Sequence, residues 1–250
     1  MSRRYDSKTT TFSPDGRLQQ LEYAVEAINK TGSAIGIVTR EGVVMVTEKH
    51  EASLLLEESK VSEKIYPIDR HIYAVVSGLS ADGNYLINLL REYAQDYRVK
   101  FRTHVPIEEL VVHICDIKQY YTQVGGSRPF GAAFLFAGYD KNSQFQLYST
   151  DPSGNYAGWK ATAIGTNHVA ANSFLKQEYK DNMSLEEGYG FALKTLVKTM
   201  ETTSPSPKKI ELVSVGFDME DNVRGVTVPE DRIAELLKAN GLTSDPAESS

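Results

Sequence analysis

The apolar residues of this chain change their spacing in blocks, and the order of those blocks restricts the fold more than any other feature. Ala34 to Thr39 and Val43 to Glu48 are dense in β-branched residues and flank Arg40-Glu41-Gly42, a hairpin connection. Lys64 to Ile68 and Ile72 to Ser77 repeat the pattern. The period then lengthens: Leu86, Leu89, Leu90, Tyr93, Ala94 and Tyr97 mark one helix, and Ile107, Leu110, Val111, Ile114, Ile117 and Tyr121 a second that opens after Pro106. Strands return at Gly131 to Tyr139, Phe145 to Ser149 and Lys160 to Ile164. Helices follow near Val169 to Tyr179 and Leu185 to Met200, the latter with Ser184 and Glu187 spaced as a capping box. Ile210 to Phe217 and Val223 to Val228 form a last strand pair, and Pro229 opens a final helix ending near Gly241. Strands in runs and helices in runs, without strict alternation, imply an α+β fold of antiparallel sheets with helices stacked in layers.

Bulk properties exclude several classes. A net charge of −6 gives no reason to expect nucleic-acid binding, and the single Cys115 precludes both a disulfide framework and an intrachain thiolate metal site. Arg3-Arg4 is followed by Ser-Lys-Thr-Thr-Thr where a secretory signal needs an apolar run. The longest apolar stretch, Gly131 to Tyr139, is too short to span a bilayer. No Gly-x-Ser-x-Gly elbow, phosphate loop or dinucleotide fingerprint occurs. His50, His71, His104, His113 and His168 show no ligand spacing, so no metal or other cofactor is expected. Cys115 lies among apolar helix positions and reads as a buried structural thiol.

The most specific segment precedes the first strand. Ser13-Pro14-Asp15-Gly16 suits a type I turn, with Pro second and Gly fourth. Leu18, Leu21, Val25 and Ile28 then recur at helical spacing from about Arg17 to Lys30, and Gly32 stands where such a helix stops. With Tyr5-Asp6 before it and Gln20-Leu21-Glu22-Tyr23-Ala24 within it, this segment resembles the N-terminal signature of alpha-type subunits of the proteasome core particle. Glu63-Lys64-Ile65-Tyr66, Asp116-Ile117-Lys118-Gln119, Arg128-Pro129-Phe130-Gly131, Asp151-Pro152-Ser153-Gly154-Asn155-Tyr156 and Gly158-Trp159-Lys160 extend the likeness from about Arg3 to Gly241. Tyr5-Asp6-Ser7, in place of the more usual Tyr-Asp-Arg, points to one paralogue, at the third position of the eukaryotic ring.

The resemblance implies a four-layer αββα sandwich of the Ntn-hydrolase kind: residues 1–12 as a gate tail, 13–241 as one domain, and 242–250 as a disordered tail. In the catalytic beta-type siblings a leader is removed and an N-terminal threonine becomes both nucleophile and base. Thr31 offers that alternative here, a processed threonine peptidase. Counting back from the hairpin glycine, Gly42, puts the nucleophile position on Gly32, one residue from Thr31, and a one-residue slip turns a strand side chain to the other face. Glu48 falls where the siblings carry an aspartate, and Lys64 on their catalytic lysine.

The expectation is therefore a non-catalytic subunit that keeps its leader. The stripe of Leu18, Leu21, Val25 and Ile28 either closes the domain's own edge or helps join neighbours into a seven-membered ring, and both can hold. The polar Ser2 to Thr11 cannot fold alone. The family pairs Tyr5 and Asp6 with Pro14 and Tyr23 of adjacent subunits at the pore. Lys64, with Gly16, Glu22, Gly78 and Leu79, matches the family's activator-docking pocket, where an ammonium receives a C-terminal carboxylate. Implied partners are other alpha subunits, beta-ring subunits, activator tails such as those of the regulatory-particle ATPases, and unfolded polypeptide in transit. Nucleic acid and membrane are not expected partners, and the implied location is cytoplasm and nucleus.

Overall fold

The structure is a computed structural model and describes residues 8–49, 64–125, 127–200 and 205–242. Helix α1 (Gln19–Ile28) leads into strands β1 (Ala34–Val38), β2 (Gly42–Glu48), β3 (Ile65–Asp69) and β4 (Ile72–Gly78). Helices α2 (Ser80–Phe101) and α3 (Ile107–Gln123) follow, then β5 (Ala132–Asp140), β6 (Gln144–Thr150), β7 (Tyr156–Trp159) and β8 (Ala161–Ile164). Helices α4 (His168–Glu178) and α5 (Leu185–Thr199), strands β9 (Ile210–Phe217) and β10 (Val223–Thr227) and helix α6 (Glu230–Ala239) complete the described elements. None of these helices is long and apolar enough to cross a membrane.

The strands form two five-stranded antiparallel sheets, ordered β10-β9-β2-β1-β8 and β3-β4-β5-β6-β7. Three apolar clusters separate four layers. Val44, Val46, Leu193 and Leu237 belong to the cluster where α4, α5 and α6 cover the first sheet. Phe134, Phe136, Leu90 and Ile114 belong to the one where α2 and α3 cover the second. Val43, Met45, Leu135 and Ala137 lie between the sheets. The period of two in β2 and β5 thus deals successive residues to opposite cores, which is why these strands read as continuous apolar runs. This is the expected αββα sandwich.

Local signals place the elements. The Ser184 hydroxyl accepts from Glu187 N (3.3 Å) while the Glu187 carboxylate accepts from Ser184 N (2.8 Å), closing the capping box that starts α5. The motifs scattered along the sequence converge on one side chain. Lys118 is fully buried; its ammonium donates to Thr150 Oγ1 (2.8 Å), Ala132 O (3.1 Å) and Asp151 O (3.4 Å), and burial pushes its pKa down to about 8. Gly154, at φ +86°, lets its turn close onto α3, where an added Cβ would stand 2.5 Å from Cys115 O. Asp82 accepts from both Arg128 nitrogens (2.6 and 2.7 Å) and from Gly131 N (2.8 Å), locking the start of β5 to α2. Cys115 is buried among these groups, and burial pushes its thiol up to about 11.

Two details differ from the expectation. Tyr156–Trp159 is a strand of its own, β7, paired with β6, and the chain changes sheets at Lys160 so that β8 pairs with β1. Its residues are mostly exposed and carry no alternation to mark it. The chain is also anchored earlier than its polarity suggested: Thr9 is buried and donates to Ser127 O (2.6 Å). The expected 242–250 tail lies outside the described residues from 243 onward.

Candidate functional site

The clearest constellation of functional groups lies where α1 ends. A cleft of about 250 Å³ is lined by Gly32, Lys64, Tyr66, Ser77, Gly78 and Asn84, together with Lys30, Thr31, Val76 and Ser80. Lys64, just ahead of β3, reaches across to donate to Glu48 O at the end of β2 (2.6 Å). Its own backbone N–H donates to the Glu211 carboxylate (2.9 Å), as does Ile65 N (3.2 Å), so a buried acid on β9 fixes the entry into β3. Burial lowers the Lys64 pKa, and the Glu48 and Glu211 carboxylates oppose that shift.

The residue facing this ammonium is Gly32. A Cβ added there would stand 2.8 Å from Lys64 Nζ and 3.3 Å from Glu48 O, so the lysine occupies the space in which a side chain would begin. Thr31 also lines the cleft, but its polar groups are engaged by other partners. Its hydroxyl donates to Ile28 O (2.7 Å) and shares a hydrogen bond with Ser77 Oγ (2.7 Å). Its amide donates to Ile28 O (3.0 Å) and its carbonyl accepts from Thr166 N and Oγ1 (2.9 and 2.7 Å). Thr31 is thus spent closing α1 and tying it to the β8–α4 turn, where Gly165 adopts φ +87°.

The remaining anticipated positions divide into two groups. Gly78 lines the same cleft as Lys64; at φ +123° it lets β4 turn into α2, and a Cβ would meet Gly131 O at 2.1 Å. Leu79 follows as the N-cap of α2, about half exposed, and donates its N–H to Gly131 O (2.8 Å). Gly16 and Glu22 lie toward the other end of α1, whose ten residues span about 15 Å. Gly16 has φ +74° and closes the turn through its N–H to Ser13 O (2.9 Å), and Glu22 pairs with Arg17. Within one chain, then, Lys64 and Gly78 share a cleft that Gly16, Glu22 and Leu79 do not line. Pro14 is exposed in its turn and Tyr23 is 47% exposed on α1. Tyr5 and Asp6 lie outside the described residues.

The apolar stripe of α1 is only partly covered. Ile28 is buried, Leu18 and Leu21 are half-buried, and Val25 is 40% exposed. Beside it runs a groove that Val25 lines together with Pro152, Tyr156 and Trp159. Sequence reasoning missed β7, the Thr31–Ser77–Thr166 hydrogen bonds and a meeting of Asp69, His71 and His104. The last two depend on contacts between segments far apart in the chain, and β7 on pairing with its neighbour β6 without a buried face of its own.

Comparison with known proteins agrees with this geometry. Residues 28–215 match the family model for the proteasome subunit, and residues 5–27 match the N-terminal signature of its A-type members. The chain is 52% identical over 250 residues to the proteasome alpha type-4 subunit of Spinacia oleracea and 51% identical to the alpha type-4-A subunit of Arabidopsis thaliana, each alignment covering 100% of both chains. It is 54% identical over 248 residues to the alpha type-4-1 subunit of Oryza sativa subsp. japonica, covering 99% of each. These three relatives fall in one paralogue group, as Tyr5-Asp6-Ser7 suggested. The A-type signature at residues 5–27, the two-sheet sandwich and full-length similarity lead to one conclusion: the chain belongs to the proteasome subunit family, as a member of its alpha type.

Proposed function

We propose that this chain is a non-catalytic subunit of the proteasome alpha ring, where it forms part of the gated entrance for protein substrates and of the surface on which activators dock. The observation that carries this reading is Gly32. Where catalytic siblings present a nucleophile to the lysine, this chain presents no side chain, and Lys64 fills the space. The hydroxyl of Thr31 is committed to Ile28 O and Ser77. That weighs against the processed-peptidase alternative.

The incompletely covered stripe of α1, with Val25, Tyr156 and Trp159 along its groove, suits contact with a neighbouring subunit in the ring. Exposed Pro14 and Tyr23 are available to the Tyr5 and Asp6 of an adjacent tail. Because Ser7 replaces an arginine of the usual tail, Asp6 takes its cation from a neighbour. Lys64, in its cleft with Gly78, is the receptor for an activator's terminal carboxylate. Gly16 and Glu22, some 15 Å away along α1, suit a pocket completed by the adjacent subunit. Occupancy that favours one position of the Ser13–Gly16 turn shifts the tail toward the open state. The subunit would act in ubiquitin-dependent degradation in cytoplasm and nucleus, at the third ring position, with unfolded polypeptide passing through.

The test is deletion of Met1 to Thr11 in the assembled particle. Basal hydrolysis of small peptides is expected to rise, with assembly retained. Unchanged basal hydrolysis by an intact particle would overturn the gating role.

A further inference from the structure

We propose that Asp69, His71 and His104 form a binding site for a divalent transition metal, best suited to Zn²⁺, that clamps the β3–β4 turn to the α2–α3 connection. The three donor atoms come from two segments, the Asp69–His71 turn and His104 more than thirty residues on, and lie within 4.8 Å of one another. Asp69 Oδ2 is 3.3 Å from His104 Nδ1 and 3.6 Å from His71 Nδ1. Zinc bonds of 2.0–2.1 Å in a tetrahedron set neighbouring ligand atoms about 3.3 Å apart. The two measured edges are close to that spacing.

The hydrogen bonding turns the lone pair of His71 inward. His71 Nε2 lies 2.8 Å from Val105 O, and a carbonyl only accepts, so Nε2 carries the proton. His71 Nδ1 then turns its lone pair toward the carboxylate, and it is a buried nitrogen without any hydrogen-bond partner, on a side chain nine-tenths buried. Asp69 is equally constrained: Oδ1 accepts from Arg70 N (2.7 Å), and Oδ2 faces the two rings, accepting from His104 Nδ1 (3.3 Å) a proton that a bound metal ion would displace. Two acceptors facing each other at 3.6 Å are repulsive unless a proton or a metal cation stands between them. An imidazole whose other nitrogen donates to a backbone carbonyl is the arrangement that orients histidine ligands to metals. Two imidazoles and one carboxylate are a donor set that borderline metals favour over calcium or magnesium.

Access and relief of charge are both provided. His71 and His104 line a broad surface groove that also contains Asp140, whose negative charge offsets part of the positive charge of Arg70, Lys141 and Arg224 in the same lining. Asp140 itself is engaged by Asn142 N, Ser143 N and Gln146 Nε2, so it serves as a background charge and the fourth coordination position is left to solvent. His104 is about half exposed and can move the short distance that closes the third edge. Asp69 is almost wholly buried. The ion would be structural, since nothing in the cluster is shaped to hold a substrate.

The experiment uses the untagged full-length chain, dialysed against chelator and then titrated with ZnCl₂ by calorimetry and with CoCl₂ by visible absorption. The expected result is one ion per chain, with cobalt absorption typical of a four-coordinate nitrogen–oxygen site. His104→Ala, at an exposed position, is expected to fold normally and to weaken binding at least tenfold, while His113→Ala, on a ring stacked against Tyr93, leaves it unchanged. Asp69→Asn is expected to abolish binding. If it fails to fold, His104→Ala decides alone. Absence of stoichiometric binding by the wild-type chain, or equal affinity in His104→Ala, would overturn the assignment.

Discussion

Adding one methyl group at Gly32 and another at Gly78 should have unequal consequences, because the atoms each would meet differ in how far they can yield. At Gly32 the added Cβ stands 2.8 Å from Lys64 Nζ, the free end of a flexible side chain. The lysine can retreat about half an ångström, which lengthens its 2.6 Å bond to Glu48 O and costs about 1–1.5 kcal/mol. Gly32 is not in the left-handed region, so alanine also removes freedom from the unfolded chain, a gain of about 0.4–1 kcal/mol. The net destabilisation by Gly32→Ala should stay below about 1 kcal/mol. At Gly78 the obstacle is backbone: Gly131 O at 2.1 Å, with φ at +123°. Overpacking and an unfavourable backbone region together cost about 3 kcal/mol or more.

For a chain of this size 1 kcal/mol moves Tm by about 2–4 °C, so Gly78→Ala should lower Tm by about 6 °C or more and Gly32→Ala by less than about 4 °C. The assay is thermal and urea unfolding of the full-length chain, repeated in a Lys64→Ala background. Without the ammonium, Gly32→Ala should lose its penalty and stabilise by a few tenths of a kcal/mol. Equal penalties with and without Lys64 would refute the claim that the lysine fills the space beside Gly32.

Lys118 predicts a pH effect with a definite sign. Its pKa is about 8 in the fold and about 10.5 when unfolded, so between those values the unfolded chain holds the extra proton and stability from this group rises with pH. Urea unfolding at pH 7.5 and 9.5 should show this gain in the wild type and not in Lys118→Met; an identical pH slope in the variant would remove Lys118 as the cause. In assembled particles, Lys64→Ala should weaken engagement of an activator tail at this subunit by roughly ten- to a hundredfold, as loss of a charge-assisted hydrogen bond would, while the ring still forms. Undiminished stimulation by that activator would exclude Lys64 as the carboxylate receptor.

The sandwich was legible because its information is local. Continuous apolar runs at Val43–Glu48 and Gly131–Tyr139, helical stripes such as Leu86-Leu90-Ala94 and Ile107-Leu110-Ile114, and the Ser184–Glu187 box each carry their own signal, and the sheets and helices formed where those signals lie. Strand β7 was illegible for the opposite reason: Tyr-Ala-Gly-Trp has no buried face to impose alternation, and it is defined by pairing with β6. The Gly32–Lys64 juxtaposition was reached by counting residues against the family pattern, and the hairpin register made that count reliable: Ala34 pairs with Thr47 and Val38 with Val43. The Asp69–His71–His104 cluster left no trace in spacing, because His104 reaches Asp69 only through the packing of α2 and α3 on the second sheet. Lys118 was visible as part of a motif, yet its burial and its acceptors from β5 and β6 follow only from the tertiary structure.

The most direct measurement is the intact mass of this polypeptide, taken from assembled particles after treatment with a covalent inhibitor directed at N-terminal threonines. Retention of the residues before Thr31, with the inhibitor absent from this chain while beta-type siblings carry it, is the predicted result. A mature chain beginning at Thr31 and bearing one inhibitor would contradict the account.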